Sequence, residues 1–105
     1  MSYYKEKILS LFDKLFLEVG DAKSRIINCE NKIESAYWAS KTDEVPLQSQ
    51  NKWEEIYNEL NSKKAWIDKN GNEISSSLVS TLKRKRNKSM KKYFHFFLEE
   101  FYRVL

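Results

Sequence analysis

Only two glycines and one proline punctuate this chain of 105 residues, and that scarcity limits its fold more than any motif does. Folds built from many short strands need such residues at their reversals, where the backbone takes a positive or a fixed φ. Helices need few of them. The chain therefore reads as all-α before any periodicity is considered. At 41% hydrophobic and 14% aromatic it is also too apolar for a disordered chain. Its length suits one domain, residues 1–105, with a modest core.

Apolar spacing places the helices. Ile8, Leu11, Phe12, Leu15 and Val19 recur at intervals of three and four, which predicts a helix from about Ser2 to Val19. Gly20 stands where a left-handed C-terminal cap is wanted. Asp21 caps a second helix over Ala22 to Ser40, with Ala22, Ile26, Cys29, Ile33, Ala36 and Tyr37 inward. Thr42 to Gln50, which contains Pro46, is the longest loop. Ser49 or Asn51 starts a third helix, running to about Trp66, with Trp53, Ile56, Tyr57 and Leu60 inward.

Asp68-Lys69-Asn70-Gly71-Asn72 reads as a turn, because Asn-Gly tolerates positive φ. That pair also suits a β-hairpin, but the helix-spaced residues on either side favour a helix–turn–helix connection. Ser75 to Ser77 caps a last segment that runs to Leu105. As one helix it would extend roughly 45 Å at 1.5 Å per residue, against an expected radius of gyration near 13 Å for a domain of about this size. It must break, around Asn87 to Ser89, or project from the bundle. The expected architecture is a bundle of four or five helices with a long basic and aromatic C-terminal helical segment. Leu11, Leu15, Ile26, Ile33, Ile56, Leu60, Phe94 and Phe97 are its expected core.

Charge is concentrated. The net charge is +4, yet Lys83 to Lys92 alone carries seven Lys or Arg and no acid, leaving the rest at −3. On a continuous helix with Val79 as reference, Leu82, Met90, Phe94, Phe97 and Phe101 share one arc, and Arg84, Lys85, Lys88, Lys91 and Lys92 the opposite one. Arg86 alone points inward there, so it must snorkel or sit at a break. Arg84 with Lys88, and Lys88 with Lys92, are like-charged pairs at i, i+4, which repel by a few tenths of a kcal/mol. Unrelieved repulsion of that kind points to an anionic partner. Lys83, Arg84, Lys85, Lys88, Lys91 and Lys92 are accordingly the candidate contacts to nucleic acid or to an acidic protein. The run from Ile74 to Arg84, small polar residues leading into basic ones, has the character of a recognition helix. Its distance from the preceding helix is about twice what a helix-turn-helix allows.

Six aromatics crowd Tyr93 to Tyr102. Phe96 and Tyr102 lie off the core arc on opposite sides, which makes them the candidate partner interface, with a second copy of the chain as one occupant. Trp38, Trp53, Trp66, Tyr3 and Tyr4 offer rings for stacking on unpaired bases, although their spacing favours packing or helix-end anchoring.

Catalysis finds little footing. His95 is the lone histidine and projects beside Lys88 and Lys91. Cys29 lies on an apolar stripe, where a thiol behaves as a small hydrophobe. Glu30 with Glu34, and Glu55 with Glu59, could touch one cation, but a di-iron site needs Glu-x-x-His pairs. There is no glycine-rich phosphate loop. No catalytic residue, metal site or cofactor is expected. Without a secretory leader or a membrane-length apolar run, the expected location is the cytoplasm. The expectation is a small non-enzymatic binding protein, a nucleic-acid-binding or regulatory factor that uses the basic face of residues 83–92. The alternative is an inhibitor of the toxin-immunity or phage anti-defence type that caps an acidic site on its target.

Overall fold

The computed structural model describes residues 3–105, and its helices follow the apolar spacing over most of that length. Helix α1 spans Tyr3–Leu17 and buries Tyr4, Ile8, Leu11, Phe12 and Leu15. Ser2, its expected start, lies outside the described residues. Val19 falls beyond the helix end and is exposed, so it does not continue the stripe. Gly20 takes φ 114°, the left-handed conformation its position called for. Asp21 then caps α2, Ala22–Asn28, accepting from the Ser24 backbone N–H at 2.9 Å.

The second helix is broken where a single one was expected. At Cys29 the backbone N–H donates to the Ile26 carbonyl, one residue tighter than an α-helical bond, and α3 restarts over Glu30–Ala39. Cys29 stays fully buried at the joint. Helix α4, Leu47–Leu60, begins right after Pro46 and buries Ser49, Trp53, Ile56 and Leu60.

Helix α4 does not reach Trp66. Asn61 ends it, with its side-chain amide donating to the Tyr57 carbonyl at 2.9 Å. The chain then forms a β-hairpin, β1 Trp66–Ile67 and β2 Glu73–Ser75, paired antiparallel with Trp66 opposite Ser75. The expected turn is present, but it joins two strands rather than two helices. Asp68 decides the local contest: its carboxylate accepts from the backbone N–H groups of Asn70 and Asn72, both at 2.9 Å, and Gly71 supplies φ 86°. Those bonds hold the Asp68 carboxyl below its usual range, chiefly the one from Asn72.

The last segment breaks too. Helix α5, Ser77–Leu82, is capped by Ser76. A turn and the extended residue Arg86 lead into a 3₁₀ turn, Asn87–Met90, and then α6, Lys91–Val104. Breaking the helix separates Arg84 from Lys88, which a continuous one would align, and leaves Lys88 with Lys92. Asn87 anchors the break: it accepts from the Lys23 backbone N–H at 2.9 Å and donates to Asp21 at 3.3 Å. Arg86 is exposed at this break rather than inward.

The fold is all-α with one small hairpin, and its α-helices number six among the described residues, because two expected helices are each divided. Helix α1 packs against α3 and α6, with the Phe12 and Phe101 rings stacked at 4.1 Å. Restarting the helix at Lys91 also resets its phase. The buried stripe of α6 is Tyr93, Phe96, Phe97, Glu100 and Val104, so Phe94 is only half-buried. Phe96, expected at a partner interface, belongs to the core, edge-on to Trp53 at 4.9 Å. Tyr102 remains exposed.

Candidate functional site

The break between α5 and α6 divides the basic block between two grooves. Lys83 and Arg84 join Lys63, Lys64, Trp66, Ser75 and Ser80 around a groove of about 480 Å³ beside the hairpin. Lys88, Lys91 and Lys92 join Lys52, Ser89, His95, Phe96 and Glu99 around another, of about 500 Å³, between α4 and α6. Lys85 lines neither: it is half-buried, and its carbonyl accepts from Lys23 Nζ at 2.7 Å. The expected single face is therefore two sites.

Local bonds explain the hairpin groove. Thr81 Oγ1 accepts from the Lys63 backbone N–H at 2.9 Å, and Ser77 Oγ donates to the carbonyls of Asn61 and Lys63. The chain leaving α4 is thereby strapped along α5, which brings Lys63 and Lys64 beside Lys83 and Arg84. Lys83 Nζ is held by Ser75 Oγ at 3.2 Å and lies 6.0 Å from the centre of the Trp66 ring. No carboxylate lines this groove. Nothing in the spacing of the basic residues signals Lys63, Lys64 or Trp66, because their approach depends on the hairpin. The Asn-Gly pair was the clue to the hairpin, and Trp66 stood in the sequence as one of five rings able to stack on unpaired bases.

The cations differ in whether they are already neutralised. Lys92 pairs with Glu59 at 2.6 Å, and Lys52 with Glu55 at 3.6 Å. Lys63, Lys64, Arg84, Lys88 and Lys91 make no salt bridge among the described residues. In the second groove the one carboxylate is Glu99.

Beneath Lys92, Glu59 also accepts from the Tyr93 hydroxyl at 3.1 Å. Burial pushes the Glu59 carboxyl up, but the bonds from Lys92 and Tyr93 outweigh it and hold it below its ordinary value. Burial, then the Glu59 charge, pushes the Tyr93 phenol up to about 12. A phenol raised in the fold keeps its proton longer than in the unfolded chain. Its contribution to stability is complete below about pH 10 and is lost as pH rises toward 12. The urea midpoint should therefore fall between about pH 9 and about pH 11, and fall less in Tyr93→Phe. Equal falls in the two proteins would contradict the assignment.

A polar cluster that was not anticipated lies next to the second groove. Glu100, fully buried, accepts from the Tyr4 hydroxyl at 2.6 Å, Ser49 Oγ at 3.1 Å and Arg103 Nε at 3.1 Å. Trp53 Nε1 donates to the same Tyr4 oxygen at 2.7 Å. Burial and Glu100 together raise the Tyr4 phenol far above its usual value. Every donor here has an acceptor, and the cluster joins α1, α4 and α6. A structural tie accounts for it fully.

Among the described residues no cluster of three or more His, Cys, Asp or Glu is placed to hold a metal ion, and no helix is long and apolar enough to cross a membrane. Comparison of the chain with protein-family models, curated proteins and solved structures finds no match.

Proposed function

We propose that this chain is a non-catalytic nucleic-acid-binding protein whose contacts are the phosphates of its partner. One observation carries the proposal: among the described residues six cations without ion pairs, including Lys83, line two grooves whose walls hold a single carboxylate, Glu99. Folded proteins ordinarily intersperse acids among such residues, because crowded like charges raise the free energy of the compact state. A polyanion relieves that repulsion, and the counterions it releases drive binding without regard to sequence.

Contacts from Lys63, Lys64, Arg84, Lys88 and Lys91 to five phosphates predict a slope of log K against log salt of about −3.5 on a single strand and about −4.5 on a duplex. Replacing both Lys88 and Lys91 by Ala should flatten it by roughly 1.4 to 1.8. Both side chains are exposed, so stability should stay within about 0.5 kcal/mol of the parent. A titration series by fluorescence anisotropy checks the slope.

The exposed apolar residues Phe16, Leu98, Tyr102 and Leu105 support a second reading, a protein inhibitor. Salt-tolerant capture of one particular protein, with no retention of DNA or RNA at low salt, would establish that reading and remove the first.

A further inference from the structure

We propose that the hairpin groove takes a single-stranded nucleic acid, with the Trp66 indole stacked on one unpaired base while Lys63, Lys64 and Arg84 hold the flanking phosphates. This rests on the nucleic-acid reading above and narrows it to one class of strand.

The fold buries a tryptophan completely where it can, at Trp53, yet leaves Trp66 59% exposed on a strand. An exposed indole forgoes the stabilisation that burial brings to an aromatic side chain. The surroundings of Trp66 are ordered rather than loose. Asp68 and Gly71 fix the turn, and Lys83 Nζ donates to Ser75 Oγ on β2. Across the ladder Trp66 pairs with Ser75, a small residue, and Lys83 Nζ lies over the ring at 6.0 Å from its centre while the indole stays mostly exposed. Its Nε1–H has no acceptor among the described residues. The ring is thus a firm apolar platform set among unpaired cations.

That pairing is what unpaired bases require. Aromatic rings accept any base by stacking, while Lys and Arg follow the backbone. A duplex offers no free base face to the indole, because its bases already stack on one another. Trp38 is equally exposed but serves as a contrast. It lines a shallow pocket with Tyr3, Asn31, Glu34 and Ser35, and the cation over its ring, Lys41 at 5.8 Å, is already paired with Glu54.

The test uses three probes at one low salt concentration: an oligothymidine of roughly 12 nucleotides, an abasic strand with the same number of phosphates, and a duplex of the same length. Trp66→Ala should lose roughly 5- to 100-fold in affinity for the oligothymidine and less than about twofold for the other two. Trp66→Phe should keep most of the affinity, and Trp38→Ala all of it. Circular dichroism identifies any variant that fails to fold. Trp66→Leu, apolar but without an aromatic face, should lose affinity for the oligothymidine as Trp66→Ala does, and keeps the test decisive if Trp66→Ala fails to fold. Equal losses on all three probes, or none on the oligothymidine, would overturn stacking and leave the phosphate reading intact. A parent protein that binds none of the probes would overturn both.

Discussion

Trp53→Ala is expected to lower the stability of the chain by about 3–5 kcal/mol, the range seen when a buried aromatic is truncated. Trp53 is fully buried and lies among the Phe96 and Phe97 rings at 4.9 and 5.8 Å. Its removal opens a cavity at the contact of α4 with α6 and takes the Nε1 donor from the Tyr4 oxygen. For a domain of this size the loss corresponds to a fall in melting temperature of roughly 12–25 °C. Total stability for such a domain is about 5–15 kcal/mol, so the variant stands close to unfolding at physiological temperature. Trp38→Ala supplies the contrast, since that ring is exposed on α3 and its loss should stay within about 0.5 kcal/mol. Thermal melts followed by circular dichroism distinguish them. Melting temperatures within a few degrees of each other would show that the burial assigned to Trp53 is wrong.

The core was legible because apolar spacing reports which side of a helix faces inward. Leu11, Leu15, Ile26, Ile33, Ile56, Leu60 and Phe97 are buried as that spacing requires, and Gly20 and Asp21 mark a helix boundary by their own conformational chemistry. Phase was legible only while a helix remained unbroken. Counting from Val79 through Lys83 to Lys92 assumes one axis, and the turn at Arg86 ends that axis. Phe96 therefore joins the core and Phe94 moves to its edge: the stripe of α6 runs from Tyr93 through Phe96 to Glu100. The break itself is set by Asn87, which bonds to residues more than sixty positions earlier in the chain. No local pattern encodes such a contact.

The candidate site was legible in its charge and not in its shape. Like charges crowded without acids identify Lys83 to Lys92 from composition alone. Their division between two grooves depends on the break, and the arrival of Lys63, Lys64 and Trp66 depends on the hairpin. The hairpin was missed because Trp66 and Ile67 continue a helical spacing, whereas Asp68 and Gly71 stabilise the reversal through backbone bonds that spacing does not register. Local turn chemistry prevailed over weak periodicity.

Glu100→Ala should destabilise the protein by about 3–5 kcal/mol, as removal of one partner from a buried charged cluster does. One signal for this residue was present in the sequence: a carboxylate three positions after Phe97, on the inner side of α6. Tyr4, Ser49 and Arg103 all donate to it, so its loss leaves two buried hydroxyls without their acceptor. Arg103 is partly solvated and can turn to water, which places the effect toward the lower end of that range. Tyr4→Phe removes a single hydroxyl but strands the Trp53 donor, for about 1–3 kcal/mol. The two substitutions share one bond, so the double variant should lose less than the sum of the singles by at least about 0.5 kcal/mol. Glu99→Ala, one residue earlier and exposed, should change stability by less than about 0.5 kcal/mol. Urea unfolding of the four variants measures every one of these differences. Additive losses from Tyr4 and Glu100, or a Glu100→Ala midpoint matching that of Glu99→Ala, would show that the cluster does not hold α1, α4 and α6 together.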